Sequence, residues 1–394
     1  MNYPYGKAPL AILIISILSG VWLFVVELRS RNERADLTFA VFSKEHADAY
    51  RGAIRQFEIE HNVRVQLQLV DQRALQSRLQ ASLQVGAEVP DVVELLDGTM
   101  GLFTNGPLED VGLIDLTDRL REEGLDQKIV ASRFGKWSSR GRVFAVPHDI
   151  HPVALAYRRD IIERLGIDVS KLTTWEEFAR VGREIVRADT NNDGVIDRYM
   201  IDLPADGGEA LRILLLQQGI DLFDAEGRVA FDQEIVAQTI LWYVRQFQGP
   251  QAIAYPAGWG QTLSQAMNDG LVLFYIAPDW RTKSIELNAP ALAGRMGLMP
   301  LPAWEEGGRR TSSWGGTGLA IPKRSRDPDL AWKLMLKLYF DDQDLGQRFR
   351  DSNILPPVRS AWTLPEFAQP SSYWGGQSIG KLLVGLAEQV PQEN

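Results

Sequence analysis

From Leu37 onward, segments of strand period alternate with segments of helix period, and no other feature of the chain constrains its fold as strongly. Residues 37–42 are a short apolar run that reads as a strand. Residues 45–61 place Ala49, Ala53, Ile54 and Phe57 on one helical face. Val63, Val65, Leu67 and Leu69 alternate with polar residues, which is strand period. Leu75, Leu79 and Leu83 mark a second helix that Gly86 ends, and Pro90 introduces another strand over 91–96. Repeated βα units join parallel strands through helices that cover the sheet. The expected fold is therefore α/β, with a mainly parallel sheet and helices on both faces.

Farther along, the strand at 143–146 runs into Pro147-His148-Asp149 and an extended pattern resumes at 153–157, which reads as a crossing between two lobes. The sequence predicts helices over 208–218, 234–247 and 259–269, and Thr174 with Glu177 forms a capping box for a helix reaching Val186. Residues 271–276 read as a buried strand and 318–321 as a strand near a second crossing. Asp327 caps the next helix, with Pro328 at its first position. Ile379, Leu382, Leu383 and Leu386 give a last amphipathic helix. A chain of 394 residues accommodates two or three such units and a full core.

Ahead of this region, residues 8–26 form a run of 19 without a charge. As a helix it would be about 28 Å long, close to the hydrocarbon core of a bilayer. It is apolar all round and lacks the amphipathic stripe of a helix that packs on a soluble core. The readings are an uncleaved signal anchor or a cleaved signal peptide, and no small-residue cleavage site follows the run. Arg29, Arg31 and Arg34 on its far side would favour a cytoplasmic orientation, but large downstream domains cross membranes largely regardless of such charges. The chain has no cysteine, so disulfides, Cys-ligated metals, thiol catalysis and Cys-linked lipid anchors are excluded. A net charge of -9 argues against a bulk electrostatic fit to nucleic acid.

Several motifs fail on their own chemistry. Gly376-Gln377-Ser378-Ile379-Gly380 matches a nucleophile elbow, but all four histidines precede it, against the order that motif needs. Gly375 to Lys381 nearly matches a phosphate-binding loop, but Leu382 stands where Ser or Thr would hold magnesium. His148-Asp149-x-His151 lies between prolines, without the helical geometry of zinc ligands. The loop from Asp189 resembles a calcium site, with Asp189, Asn191, Asp193, Val195 and Asp197 as ligands, and turn chemistry as the competing reading. Its twelfth position is Met200 rather than an acid, so calcium is a structural candidate and no cofactor is required.

Tryptophan supplies the functional lead. Trp-Gly-Gly occurs at Trp314-Gly315-Gly316 and again at Trp374-Gly375-Gly376, and Trp280 follows Pro278-Asp279 beyond a predicted strand. An indole face suits the C–H face of a pyranose, and glycine lets backbone approach a ligand. Trp259 and Trp137 are further candidates. Asp97 and Ser43-Lys44 each follow a predicted strand, where ligands of open parallel sheets collect.

The order of several short motifs is similar to that of the bacterial extracellular solute-binding proteins of family 1, the sugar-binding receptors of ABC importers. They include Val89-Pro90-Asp91-Val92-Val93, Phe144-Ala145-Val146-Pro147, Ala156-Tyr157-Arg158-Arg159-Asp160, Thr174-Trp175-Glu176-Glu177-Phe178, Pro278-Asp279-Trp280, Gly315-Gly316-Thr317-Gly318 and Leu355-Pro356-Pro357-Val358-Arg359. The resemblance implies a type II periplasmic-binding-protein fold of two hinged lobes, with two or three crossings. Lobe 1 would be 37–147 plus 318–358 and lobe 2 would be 148–317 plus 359–394, after a signal anchor or signal peptide and linker at 1–36. By position it implies Ser43, Lys44 and Asp97 from lobe 1, His148 and Asp149 at a crossing, and Trp280, Trp314, Gly315, Tyr373 and Trp374 from lobe 2. Arg359 would lie near the last crossing, with a salt bridge as the competing reading. The implied function is to bind a carbohydrate, an oligosaccharide by preference, and deliver it to an ABC permease. The binding domain would be monomeric, held at the cell membrane by its N-terminal segment, in the periplasm or outside the cell. A glycan hydrolase or lyase, using Asp97 and Asp149, and a solute-sensing domain for a signalling partner are the competing classes.

Overall fold

The computed structural model describes residues 12–22, 35–186, 197–205, 208–223, 228–249 and 252–393. Among these residues the chain builds two five-stranded sheets. The strands are β1 (Leu37–Val41), β2 (Val65–Leu69), β3 (Val92–Leu96), β4 (Val146–Pro147), β5 (Val153–Arg158), β6 (Tyr199–Asp202), β7 (Ala254–Tyr255), β8 (Val272–Pro278), β9 (Met296–Pro300) and β10 (Thr317–Ala320). The first sheet has the order β2-β1-β3-β10-β4, and the second has β9-β5-β8-β6-β7. A short ribbon, Ser138–Ser139 with Arg142–Val143, lies outside both.

The sheets are mixed, which corrects the expectation of a mainly parallel one. β10 is antiparallel to β3 and to β4, and β5 is antiparallel to β8 and to β9. Each reversed strand is the first that the chain forms after passing from one sheet to the other. Register gives the reason. β5 starts at Val153 opposite Pro278, where β8 ends, and β10 starts at Thr317 opposite Leu96, where β3 ends. Each passage thus enters the new sheet beside the ends of its neighbours and must run back along them.

Local chemistry sets the helices. Lys44–His61 is capped by Ser43, whose side chain accepts from the His46 N–H, and Asn62 ends it in the left-handed region. Its inner face is His46, Ala47, Tyr50, Ala53, Ile54 and Phe57, which adds three residues to the predicted face and leaves out Ala49. Thr174 caps Trp175–Ile185 by accepting from Glu177, and Asp327 caps Pro328–Phe340. The helices Gly208–Gln217, Glu234–Arg245 and Gln261–Asp269 fall where the periodicity predicts them. Pro328–Phe340 and Asp342–Ser352 pack on Lys44–His61 beside the first sheet, and Ile379–Ala387 packs on β9 of the second.

Within the apolar run, residues 12–22 are helical and the remainder lies outside the described residues. Eleven residues span about 16 Å, half a hydrocarbon core. Among the described residues no helix is long and apolar enough to cross a membrane, so the expected transmembrane helix is not shown.

One polar knot fixes the start of the first sheet. Asp91 is fully buried, accepts from the N–H and hydroxyl of Thr38 on β1, and takes the Arg326 guanidinium at 2.5 Å. Burial opposes ionisation, but Arg326 and Thr38 outweigh it and hold the carboxyl below its usual range. Asp91→Ala is expected to cost about 2–3 kcal/mol, since Arg326 keeps some contact with water and pairs less strongly than a fully buried partner. Denaturant midpoints of the two proteins measure it, and an unchanged midpoint would refute the role.

Candidate functional site

The ends of β3 and β8 and three connecting segments meet between the two sheets. β3 delivers Asp97, and β8 delivers Asp279 and Trp280. The segment 148–152 runs from β4 to β5, and 311–316 returns toward β10 beside it through a Pro152–Ser313 bridge. Residues 353–358 form a third strand of chain, where Ile150 N–H donates to Leu355 C=O and Val130 N–H to Pro357 C=O.

A buried charge relay binds these pieces. Asp149 Oδ2 accepts from the Thr317 N–H at 2.9 Å and its hydroxyl at 3.0 Å, and lies 3.0 Å from His151 Nε2 and 3.2 Å from His148 Nδ1. Its other oxygen takes Arg133 at 3.3 Å. His151 turns its Nδ1 to Asp279 at 2.5 Å, and the second Asp279 oxygen accepts the Leu355 N–H at 2.7 Å. Arg133 also donates to Ser313 Oγ at 3.0 Å, so one chain of contacts ties all three connecting segments. His151 adopts φ 51°, a left-handed conformation that a β-carbon disfavours, which the two carboxylates hold in place.

Burial would keep the His151 ring neutral, but Asp149 and Asp279 outweigh it and raise its pKa to about 9. Burial would also raise Asp149, yet His151 and His148 hold it well below the carboxylate range. His148 is driven the other way, by burial and by neighbouring His46, so it stays neutral. Its ring packs 4.6 Å from His46 and 5.3 Å from Tyr339.

Next to the relay stand three indoles. Trp280 and Trp314 are half-buried, and Trp259 is 57% exposed. Trp259 and Trp280 are nearly parallel with centroids 6.4 Å apart, and Trp314 meets them edge-on at 5.6 and 5.4 Å. The buried Arg281 guanidinium backs this corner 4.5 Å from the Trp259 ring. Gly315 joins the corner to the relay. Its φ of 86° calls for glycine, and its carbonyl accepts from Lys136 at 2.9 Å. Lys136 in turn holds Asp97 at 2.6 Å.

The structure brings together Asp97, His148, Asp149, Trp280, Trp314 and Gly315 from the sequence-predicted set. The others lie elsewhere. Ser43 is spent on its helix cap, and Lys44 is exposed and paired with Asp48 at 2.6 Å. Arg359 forms a surface ion pair with Glu388 at 2.8 Å and donates to Ile129 C=O, which is its salt-bridge reading. Tyr373 is buried and donates to Ala289 C=O. Trp374 is fully buried with its N–H given to Glu286, and Arg159 fills the space beside Gly375. The second Trp-Gly-Gly is thus a core turn. Trp137 is also core, wedged against Gly318. Of the calcium candidates, Asp189, Asn191, Asp193 and Val195 lie outside the described residues, and only Asp197 is described. Among the described residues no group of three or more His, Asp or Glu is arranged to hold a metal ion.

Residues that sequence reasoning missed are Arg133, Lys136, Asp279 and, as a partner in the relay, His151. Arg133 and Lys136 belong to no motif. Only the paired appearance of His151 beside Asp149 hinted at the relay.

The relay makes stability depend on pH with a definite sign. The folded pKa of His151 lies above its unfolded value of about 6.5, so its contribution is complete below that pH and is lost as pH rises through about 9. The urea midpoint is expected to fall between pH 6.5 and 9.5, and more steeply than in His151→Gln. Parallel pH profiles in the two proteins would refute it.

Residues 43–343 match the family model for bacterial extracellular solute-binding proteins. The arabinooligosaccharide-binding protein of Halalkalibacterium halodurans is 24% identical over 368 residues, covering 91% of this chain and 80% of the relative. A solved extracellular solute-binding protein of family 1 superposes with a TM-score of 0.76 at 20% identity, covering 91% of this chain and 88% of its own. The sugar-binding protein MalE from Xanthomonas citri does so with a TM-score of 0.74 at 22% identity, covering 91% and 86%. The two sheets joined through a buried crossing thus have the fold of solved receptors, and over most of its length this chain belongs to the bacterial extracellular solute-binding proteins.

Proposed function

We propose that the protein is the substrate-binding receptor of an ABC-type importer and takes a carbohydrate, an oligosaccharide by preference, between its two sheets. The observation that carries this is the half-exposed indole corner of Trp259, Trp280 and Trp314 beside the connecting segments. It offers apolar faces for pyranose C–H groups, while Asp97, held by Lys136 and still partly exposed, offers a polar partner for hydroxyls. The sugar-binding relatives support the same class. In this reading the two sheets with their helices are two lobes, and the sugar favours the closed state by contacting both. The closed form then docks on permease subunits. Asp149 is enclosed with both oxygens engaged, which suits a structural anion better than the general acid of a glycan hydrolase.

The test is a thermal-shift screen of the purified protein against sugars, oligosaccharides and glycerol phosphodiesters, since a ligand that binds only the folded state raises its stability. No shift with any sugar, together with cleavage of a glycan, would overturn the receptor reading. Trp280→Ala should weaken sugar binding by about tenfold or more with little loss of stability. Trp374→Ala, in the core, should instead cost about 3–5 kcal/mol of stability. The opposite pattern would exchange the roles assigned to the two Trp-Gly-Gly turns.

The apolar run supports a second element of this reading, a membrane tether for an extracytoplasmic receptor. Ile12, Ile15, Leu18 and Trp22 are all more than half exposed, an apolar surface with no protein cover. Deleting residues 8–26 should move the protein from the membrane to the soluble fraction after export by a substitute leader. Recovery of the deleted form in the membrane would sink the tether.

A further inference from the structure

The segment 390–393 enters the space between the two sheets. Val390 and Pro391 are buried, and the Glu393 side chain is 1% exposed. Its carboxylate meets Lys136 at 2.7 Å and Arg133 at 3.5 Å, both beside the first sheet. It also meets Arg212 at 2.5 Å, on the helix Gly208–Gln217 that packs on the second sheet. Docking is close, because the Glu393 carbonyl stands where a side chain at Gly135 would begin. The site adjoins the indole corner, since Lys136 also holds Asp97 and the Gly315 carbonyl.

Arg133 and Lys136 are almost wholly buried, and a buried cation needs an anion. Four cations gather here: Arg133, Lys136, Arg212 and the protonated His151. Asp149 is engaged by His151 and, at 3.3 Å, by Arg133, Asp279 by His151, and Asp97 by Lys136. Asp221 stands 3.9 Å from Arg212, at the limit of an ion pair. Glu393 is the one carboxylate among these that meets Arg133, Lys136 and Arg212 together. Burial opposes its ionisation, but Lys136, Arg133 and Arg212 hold its pKa down to about 2. A neutral saccharide entering here would displace that carboxylate, supply no charge in its place and leave Arg212 the longer contact with Asp221.

Resting on the receptor reading, we propose that Arg133, Lys136 and Arg212 form a carboxylate-binding subsite of the cleft, and that the saccharide received there carries a carboxylate, as a uronic-acid unit does. Glu393 is its tethered stand-in. The ligand carboxylate displaces Glu393 and takes over its three cations, while the sugar rings extend toward Trp280 and Trp314. A tethered competitor acts at high local concentration, so weakening it raises apparent affinity.

The experiment is calorimetric titration of the full protein with uronate di- and trisaccharides, each paired with its neutral counterpart. At least one uronate is expected to bind tenfold or more tighter than its neutral partner, as about 1.4 kcal/mol of selective contact requires. Glu393→Gln should increase uronate affinity. Arg212→Met should shrink the uronate preference, and Arg212→Lys should restore part of it, with thermal unfolding confirming that each variant folds. Neutral sugars binding as tightly as every uronate would overturn the carboxylate subsite and leave the receptor reading standing. A loss of uronate affinity in Glu393→Gln, or a preference unchanged in Arg212→Met, would overturn it as well. Binding of no saccharide at all would overturn both readings.

Discussion

The buried contact of His151 with Asp149 and Asp279 is the constraint on which the rest of the structure depends. Each partner comes from a different place: one crossing segment, the end of β8, and through Arg133 and Leu355 the other two connecting segments. A buried carboxylate costs free energy unless it is paired and hydrogen-bonded, and here two of them share one protonated ring. Breaking the relay leaves uncompensated charge in the interior, which is more costly than never having buried it. The connecting segments are thus positioned by these charges together with buried apolar residues of their own, Ile150, Leu355 and Val358.

The cleft chemistry follows from that arrangement. Reversed β5 and β10 begin where β8 and β3 end, so strand ends from both sheets present their side chains to one space. Ligands of open α/β sheets sit beyond strand ends for the same reason. The first Trp-Gly-Gly lies on the returning segment and faces that space. The left-handed Gly315 turns its carbonyl to Lys136, which couples the aromatic corner to the charged residues.

Much of the fold was legible in the sequence because strand and helix periods, N-caps and glycine stops are local. Ser43, Thr174 and Asp327 act as caps, and the Pro147-His148-Asp149 stretch lies at a crossing as expected. Strand direction was less legible, since it depends on where a crossing enters the second sheet. The site was only partly legible. Asp279 lies 128 residues from His151, and Glu393 lies more than 250 residues from Lys136, so neither pairing leaves a mark on spacing. The two Trp-Gly-Gly turns are identical as strings. Only burial separates them: Trp374 gives its N–H to Glu286 in the core, whereas Trp314 stays half-buried beside Trp259 and Trp280.

The placement of the reversed strands bears on how the halves can move. Each leaves from an edge strand, β4 or β9, and enters an inner one, β5 or β10. An inner strand is hydrogen-bonded on both sides and cannot fray to absorb a twist. Torque arriving through a connecting segment is therefore delivered to the middle of a sheet and turns it as a plate, with helices attached. Small dihedral changes in a few residues near His151 would sweep the far ends of both sheets through many times that distance, like a pair of tongs gripped at the pivot.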